Sequence, residues 1–180
     1  MMDHEFTEGT EVVYGLHGRC SIMGIETRKI AGEELKFYKL QKQRPLLSRA
    51  KKNDPAIWLP VRDAVKRGLR IPMTREEAET AFETLSSQEY FFSLDEKWKS
   101  IQPKLEDCIF TEGGRGLAKV VGYLYALKNK LIVPPPEVNR FFDATFRTLV
   151  RELAEIYEEP LRTIELKIEK AVEQKLRLDH

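Results

Sequence analysis

Two hydrophobic rhythms divide this chain. Up to about residue 72 the apolar positions come in short β-branched or aromatic runs separated by turn residues, which is how strands read. Glu11-Val12-Val13-Tyr14 is the first run, with Gly15 and Gly18 bracketing a turn behind it. Cys20 to Ile30 follows, with Ile22, Ile25 and Ile30 among polar residues and Gly24 as the expected bulge. Ala31-Gly32-Glu33-Glu34 reads as a hairpin connection and Leu35 to Gln41 as the returning strand. Alternation puts Leu35, Phe37 and Lys39 on one face and Lys36, Tyr38 and Leu40 on the other. Neither face is cleanly polar, as expected of a strand in a small curved barrel. Beyond a basic loop, Arg44 to Pro55, the run Ile57-Trp58-Leu59 closes the set, with Pro60 at a strand end or edge. The expectation is an SH3-like or Tudor-like β-barrel.

From Thr74 the period becomes helical. Thr74-Arg75-Glu76-Glu77 has the form of a capping box, and Ala78, Ala81, Phe82 and Leu85 make the stripe behind it. Ser93-Leu94-Asp95-Glu96 repeats the capping pattern ahead of Trp98, Ile101, Leu105 and Cys108 or Ile109, with Pro103 expected to kink or end that segment. Gly113, Gly114 and Gly116 read as a loop, and Leu117, Val120, Val121, Leu124 and Tyr125 resume the helical spacing. Pro134-Pro135-Pro136 breaks the chain. Phe141, Phe142, Thr145, Phe146, Leu149, Val150, Leu153 and Ile156 then form a long apolar face, and an amphipathic stretch follows Pro160. The chain is therefore expected to be α+β, with a barrel over 1–72 and a helical domain of four or five helices over 73–180.

Composition adds constraints. The 180 residues are 42% hydrophobic and 33% charged, enough for a core and a solvated surface. No apolar run approaches the roughly 18 residues of a membrane span. The opening residues lack the blocks of a signal peptide, so the expected location is the cytoplasm. Net charge is +1, unevenly spread: residues 1–72 hold 14 Lys/Arg against 9 Asp/Glu, a net +5, leaving −4 on the remainder. Any nucleic-acid contact therefore needs a local patch. Cys20 and Cys108 are too few and too distant for a disulfide framework, and His17 with Cys20 offers too few ligands for zinc.

Catalytic chemistry finds little support. Gly113-Gly114-Arg115-Gly116 follows no strand, and neither a His-Glu-x-x-His pair nor a Gly-x-Ser-x-Gly elbow occurs. Carboxylates such as Glu152, Glu155, Glu158 and Glu159 read as a solvated helix face. The expectation is a binding protein without catalytic residues, cofactor or metal.

One resemblance covers roughly residues 6–157. The run Val12-Val13-Tyr14-x-x-x-Gly18, the segment Ile22-x-x-Ile25-Glu26-Thr27-Arg28-x-Ile30-x-Gly32-Glu33, then Phe37-Tyr38-x-Leu40, Leu59-Pro60 and Gly68-Leu69-Arg70 resemble the N-terminal domain of CarD/CdnL transcription regulators. Trp98, Leu117-Ala118-Lys119-Val120-Val121 and Arg147-x-Leu149-Val150-x-Glu152-Leu153-Ala154 resemble the helical domain of the same family. The resemblance implies that the first domain binds the β subunit of RNA polymerase, with Arg28, Ile30, Trp58 and Pro60 at the contact. It implies that the second touches promoter DNA at the upstream edge of the bubble, with Trp98 as a wedge and Lys97, Lys99 and Lys104 beside it. In some members a polymerase-contacting arginine stands at the position of Trp58, and the family usually has a pair of arginines just after the tryptophan, where this chain has Ser100 and Ile101, and then Pro103.

Three functions follow as expectations. The first is a polymerase-binding factor that stabilises the open promoter complex by favouring the melted state. The second is an adaptor of the same fold without DNA contact. The third is an enzyme with a site between the domains.

Overall fold

The computed structural model describes residues 6–43, 54–87, 89 and 91–178. The opening residues and most of the basic loop, 44–53, lie outside them. The chain divides into two compact units, Met1–Pro72 and Met73–His180.

The first unit is an antiparallel sheet of β1 (Glu11–Tyr14), β2 (Gly18–Ile30), β3 (Glu33–Lys42), β4 (Ile57–Pro60) and β5 (Leu69–Arg70), in the order β4-β3-β2-β1-β5. Among the described residues no ladder joins β4 to β5, so the sheet is open at both edges. The long hairpin β2–β3 turns on two residues rather than four: Ala31 and Gly32 both have positive φ, 52° and 87°. That is the handedness a two-residue hairpin needs to match strand twist. Glu33 and Glu34 pair with Ile30 and Lys29 and so belong to the strand. The expected bulge is present, with the register slipping between Ile22 and Gly24. Val12, Cys20, Ile22, Tyr38, Leu40, Leu59, Ala64 and Leu69 form the core. Of the two faces of β3, the one bearing Tyr38 and Leu40 is buried.

The second unit holds α1 (Arg75–Ser86), α2 (Trp98–Lys130), α3 (Pro136–Tyr157) and α4 (Leu161–Leu178). The capping box of α1 forms as expected: the Glu77 amide donates to Thr74 Oγ1 at 3.2 Å and the Thr74 amide to Glu77 Oε2 at 2.7 Å. The second capping box does not form. Helix α2 starts at Trp98 behind Lys97, with no side-chain cap, and Ser93 Oγ accepts from the Asp95 amide instead. Glu96, the residue needed to reach back, is held by Lys104 and Ser100.

The glycines expected as a loop lie within α2 as its kink. Gly113 alone leaves helical geometry (φ 58°, ψ −126°), and a Cβ on Gly116 would stand 2.1 Å from the Cys108 carbonyl oxygen. The helix runs through Pro103 and reverses at Gly113. The Lys130 ammonium meets Asp95, so the second arm of α2 ends beside the segment that begins the first. The unit's largest fully buried side chains include Leu85, Ile101, Leu105, Leu117, Leu124, Leu149 and Leu153. Glu152, expected on a solvated face, is buried and accepts the Met73 amide at 2.7 Å. Among the described residues no helix is long and apolar enough to cross a membrane.

Candidate functional site

Strand alternation assembles the first group of candidates. In the β2–β3–β4 ladders Arg28 stands opposite Leu35, Ile30 opposite Glu33, Trp58 opposite Lys39 and Pro60 opposite Phe37. Their partners are the odd-numbered residues of β3, on the face turned away from Tyr38 and Leu40. Arg28, Ile30, Trp58 and Pro60 therefore share one face of the sheet. The Arg28 guanidinium lies 3.7 Å from the Trp58 ring centroid, and the Lys39 ammonium approaches the same ring at 5.5 Å. A cation over an indole at an exposed site is worth about 0.5–1 kcal/mol. Glu26 pairs with Arg28 at 3.6 Å.

Lys39, Phe37 and Glu26 thus join the four expected residues. The signal for Lys39 and Phe37 was the alternation of β3, which the sequence shows without telling which face is covered.

The same region offers an unpaired backbone edge. The ladder of β1 with β2 ends at Ser21, so from Met23 to Ile30 β2 has β3 on one side and no strand on the other among the described residues. Met23, Ile25 and Ile30 are exposed along it. An edge of this kind can take a further strand.

The second group is less united. Lys97 and Lys99 are exposed on either side of Trp98. A helix turns about 100° per residue, so they diverge by about 200°. Lys104 is one of the two groups that hold Glu96, at 2.6 Å. Its hydrogen bond, with that of Ser100, draws the Glu96 carboxyl below its usual range. Trp98 is half-buried, its ring edge-on to Phe141 with centroids 5.6 Å apart. Its indole N–H is buried and finds no acceptor among the described residues.

A surface pocket of about 520 Å³ opens in the helical unit between Phe91, Phe92, Lys104, Cys108, Glu112 and Lys119. Lys119 bonds Glu112 at 2.5 Å and lies over the Phe91 ring at 4.4 Å. Burial and the Glu112 carboxylate push the Cys108 thiol up to about 12. It stays protonated at neutral pH, the form that is neither nucleophile nor metal ligand. Burial also raises the Cys20 thiol, with Lys42 opposing it. His17 is exposed and stacks on Tyr14, with centroids 5.0 Å apart. No cluster of three or more His, Cys, Asp or Glu side chains among the described residues could hold a metal ion.

No protein-family model matches this chain, and no curated protein is similar to it in sequence.

Proposed function

We propose that this chain is a transcription regulator of the CarD/CdnL kind, acting in the bacterial cytoplasm. On this reading the sheet unit is a Tudor-like barrel that binds the β subunit of RNA polymerase. The observation that carries the reading is the convergence of Arg28, Ile30, Trp58 and Pro60 on one sheet face, beside the unpaired stretch Met23–Ile30. Backbone addition at that edge supplies affinity, and the Arg28–Trp58 stack supplies a preformed, rigid anchor next to it. The helical unit then contacts promoter DNA near the upstream edge of the bubble through Lys97, Trp98, Lys99 and Lys104. A preference for the melted promoter of about 1–2 kcal/mol lengthens the life of the open complex by roughly 5- to 30-fold.

Pull-down of the full chain with RNA polymerase tests the reading. Arg28→Glu is expected to weaken capture about tenfold or more, since it replaces the stacked cation with a charge that repels Glu26. Undiminished capture by a folded variant contradicts the proposed surface.

A second reading, a polymerase-binding adaptor without DNA contact, is favoured by the engagement of Lys104 with Glu96 and of Trp98 with Phe141. Open-complex lifetime separates the two readings: Trp98→Ala shortens it if the helical unit meets DNA and leaves it unchanged in an adaptor.

A further inference from the structure

Between α2 and α3 the chain presents two adjacent aliphatic residues to water, Ile132 at 101% and Val133 at 81% exposure. A single exposed aliphatic residue is ordinary; two together on a braced tip are less so. The Leu131 amide donates to Leu127 O at 3.1 Å on one side. On the other, the Asn139 side-chain amide donates to Pro134 O at 3.3 Å, and its backbone amide to Pro135 O at 3.1 Å. Three successive prolines, Pro134 to Pro136, fix φ along the return. A tip held in this way loses little conformational freedom on binding.

Its position follows from the reversal of α2. Lys130, two residues before Ile132, reaches Asp95, three residues before Trp98, and the Trp98 ring meets Phe141 near the start of α3. The tip, Trp98, Lys97, Lys99 and Arg140 therefore gather at one end of the helical unit. The acids there are largely engaged: Asp95 by Lys130, and Glu96 by Lys104 and Ser100. Lys97, Lys99 and Arg140 are exposed and make no ion pair among the described residues, and Glu137 and Asp143 are the exposed carboxylates of the first two turns of α3.

An apolar projection at an end of the unit that also bears exposed cations fits nucleic acid: aliphatic side chains wedge between base steps in the minor groove, while lysine and arginine meet phosphates. We infer that Ile132 and Val133 form a second apolar wedge, working beside Trp98 on DNA duplex that is opened at one end. The inference rests on the reading above in which the helical unit contacts promoter DNA.

The test is fluorescence anisotropy of the full chain with a labelled duplex ending in an unpaired fork, at low salt and again with polymerase present. Alongside it, polymerase pull-down is repeated for each variant. Replacing both tip residues (Ile132→Ser with Val133→Ser) is expected to weaken fork binding about fivefold or more. Polymerase capture and the thermal midpoint stay at wild-type values, since neither side chain is part of the core. Wild-type fork affinity in the tip variant, together with a loss in Trp98→Ala, overturns the wedge and leaves the DNA reading standing. Absence of fork binding by the wild type under both conditions overturns both. Weaker polymerase capture by the tip variant at unchanged fork affinity assigns the tip to a protein surface and overturns the wedge.

Discussion

The two tryptophans of this chain are held in opposite ways. Trp58 lies on the outer face of a sheet with a guanidinium against its ring, so its contacts are made at the surface. Trp98 turns its ring edge into Phe141 and buries an indole N–H that finds no acceptor among the described residues. The difference comes from the backbone beneath them. A strand returns every second residue to the same face, so ladders bring Arg28, Trp58 and Pro60 together across three strands. A helix rotates each neighbour by about 100°, so Lys97 and Lys99 diverge although they flank Trp98 in sequence. The sheet therefore presents a finished surface, whereas the helical unit holds its aromatic residue at the cost of an unsatisfied donor, about 1–3 kcal/mol.

The sharpest way to break this contrast is to spoil the scaffold that carries Trp98. Gly116→Ala drives a methyl group against the Cys108 carbonyl at the reversal of α2 and is expected to cost about 3 kcal/mol. Urea unfolding followed by the helical far-ultraviolet signal measures this, and an unchanged midpoint shows that the two arms are free to separate there. Trp98→Phe should cost less than about 1 kcal/mol, because removing an N–H without acceptor offsets much of the lost ring contact. A loss above about 2 kcal/mol means that the indole nitrogen does find an acceptor.

The smallest effect is expected in the sheet. His17 is exposed, but partial desolvation by its neighbours and the charge of Lys42 lower its pKa from the ordinary 6.5. The unfolded chain then takes up the proton first as pH falls, so this contribution to stability is complete above 6.5 and is lost as pH falls from 6.5 through the lower folded value. The acid-side decline in the urea midpoint should be shallower in His17→Gln, and an identical decline would falsify the assignment to His17.

Much of this arrangement was legible in the sequence, and its failures have local causes. The strands, the bulge before Gly24 and the capping box at Thr74 follow from patterns that neighbouring residues satisfy without competition. The same capping pattern failed at Ser93 because the helix starts five residues later, at Trp98, and Glu96 is held by Lys104. The glycines read as a loop because composition alone does not tell a flexible turn from a point where helices touch too closely for a side chain. Glu152 read as exposed because its partner, the Met73 amide, is 79 residues away in sequence. For the candidate surface, alternation placed Leu35, Phe37 and Lys39 together. The stacking of Arg28 on Trp58 depends on ladder register, which no local pattern fixes.

On the proposed function the outer sheet face and the edge Met23–Ile30 receive the polymerase β subunit. The most direct measurement is to follow the backbone amide resonances of the full chain while titrating in the β-subunit lobe. The account predicts that the largest shifts fall on Met23–Ile30, Lys39 and Trp58, with the amides of Trp98–Lys130 little changed. A titration that leaves Met23–Ile30 unmoved, or one whose shifts lie only within the helical unit, contradicts it.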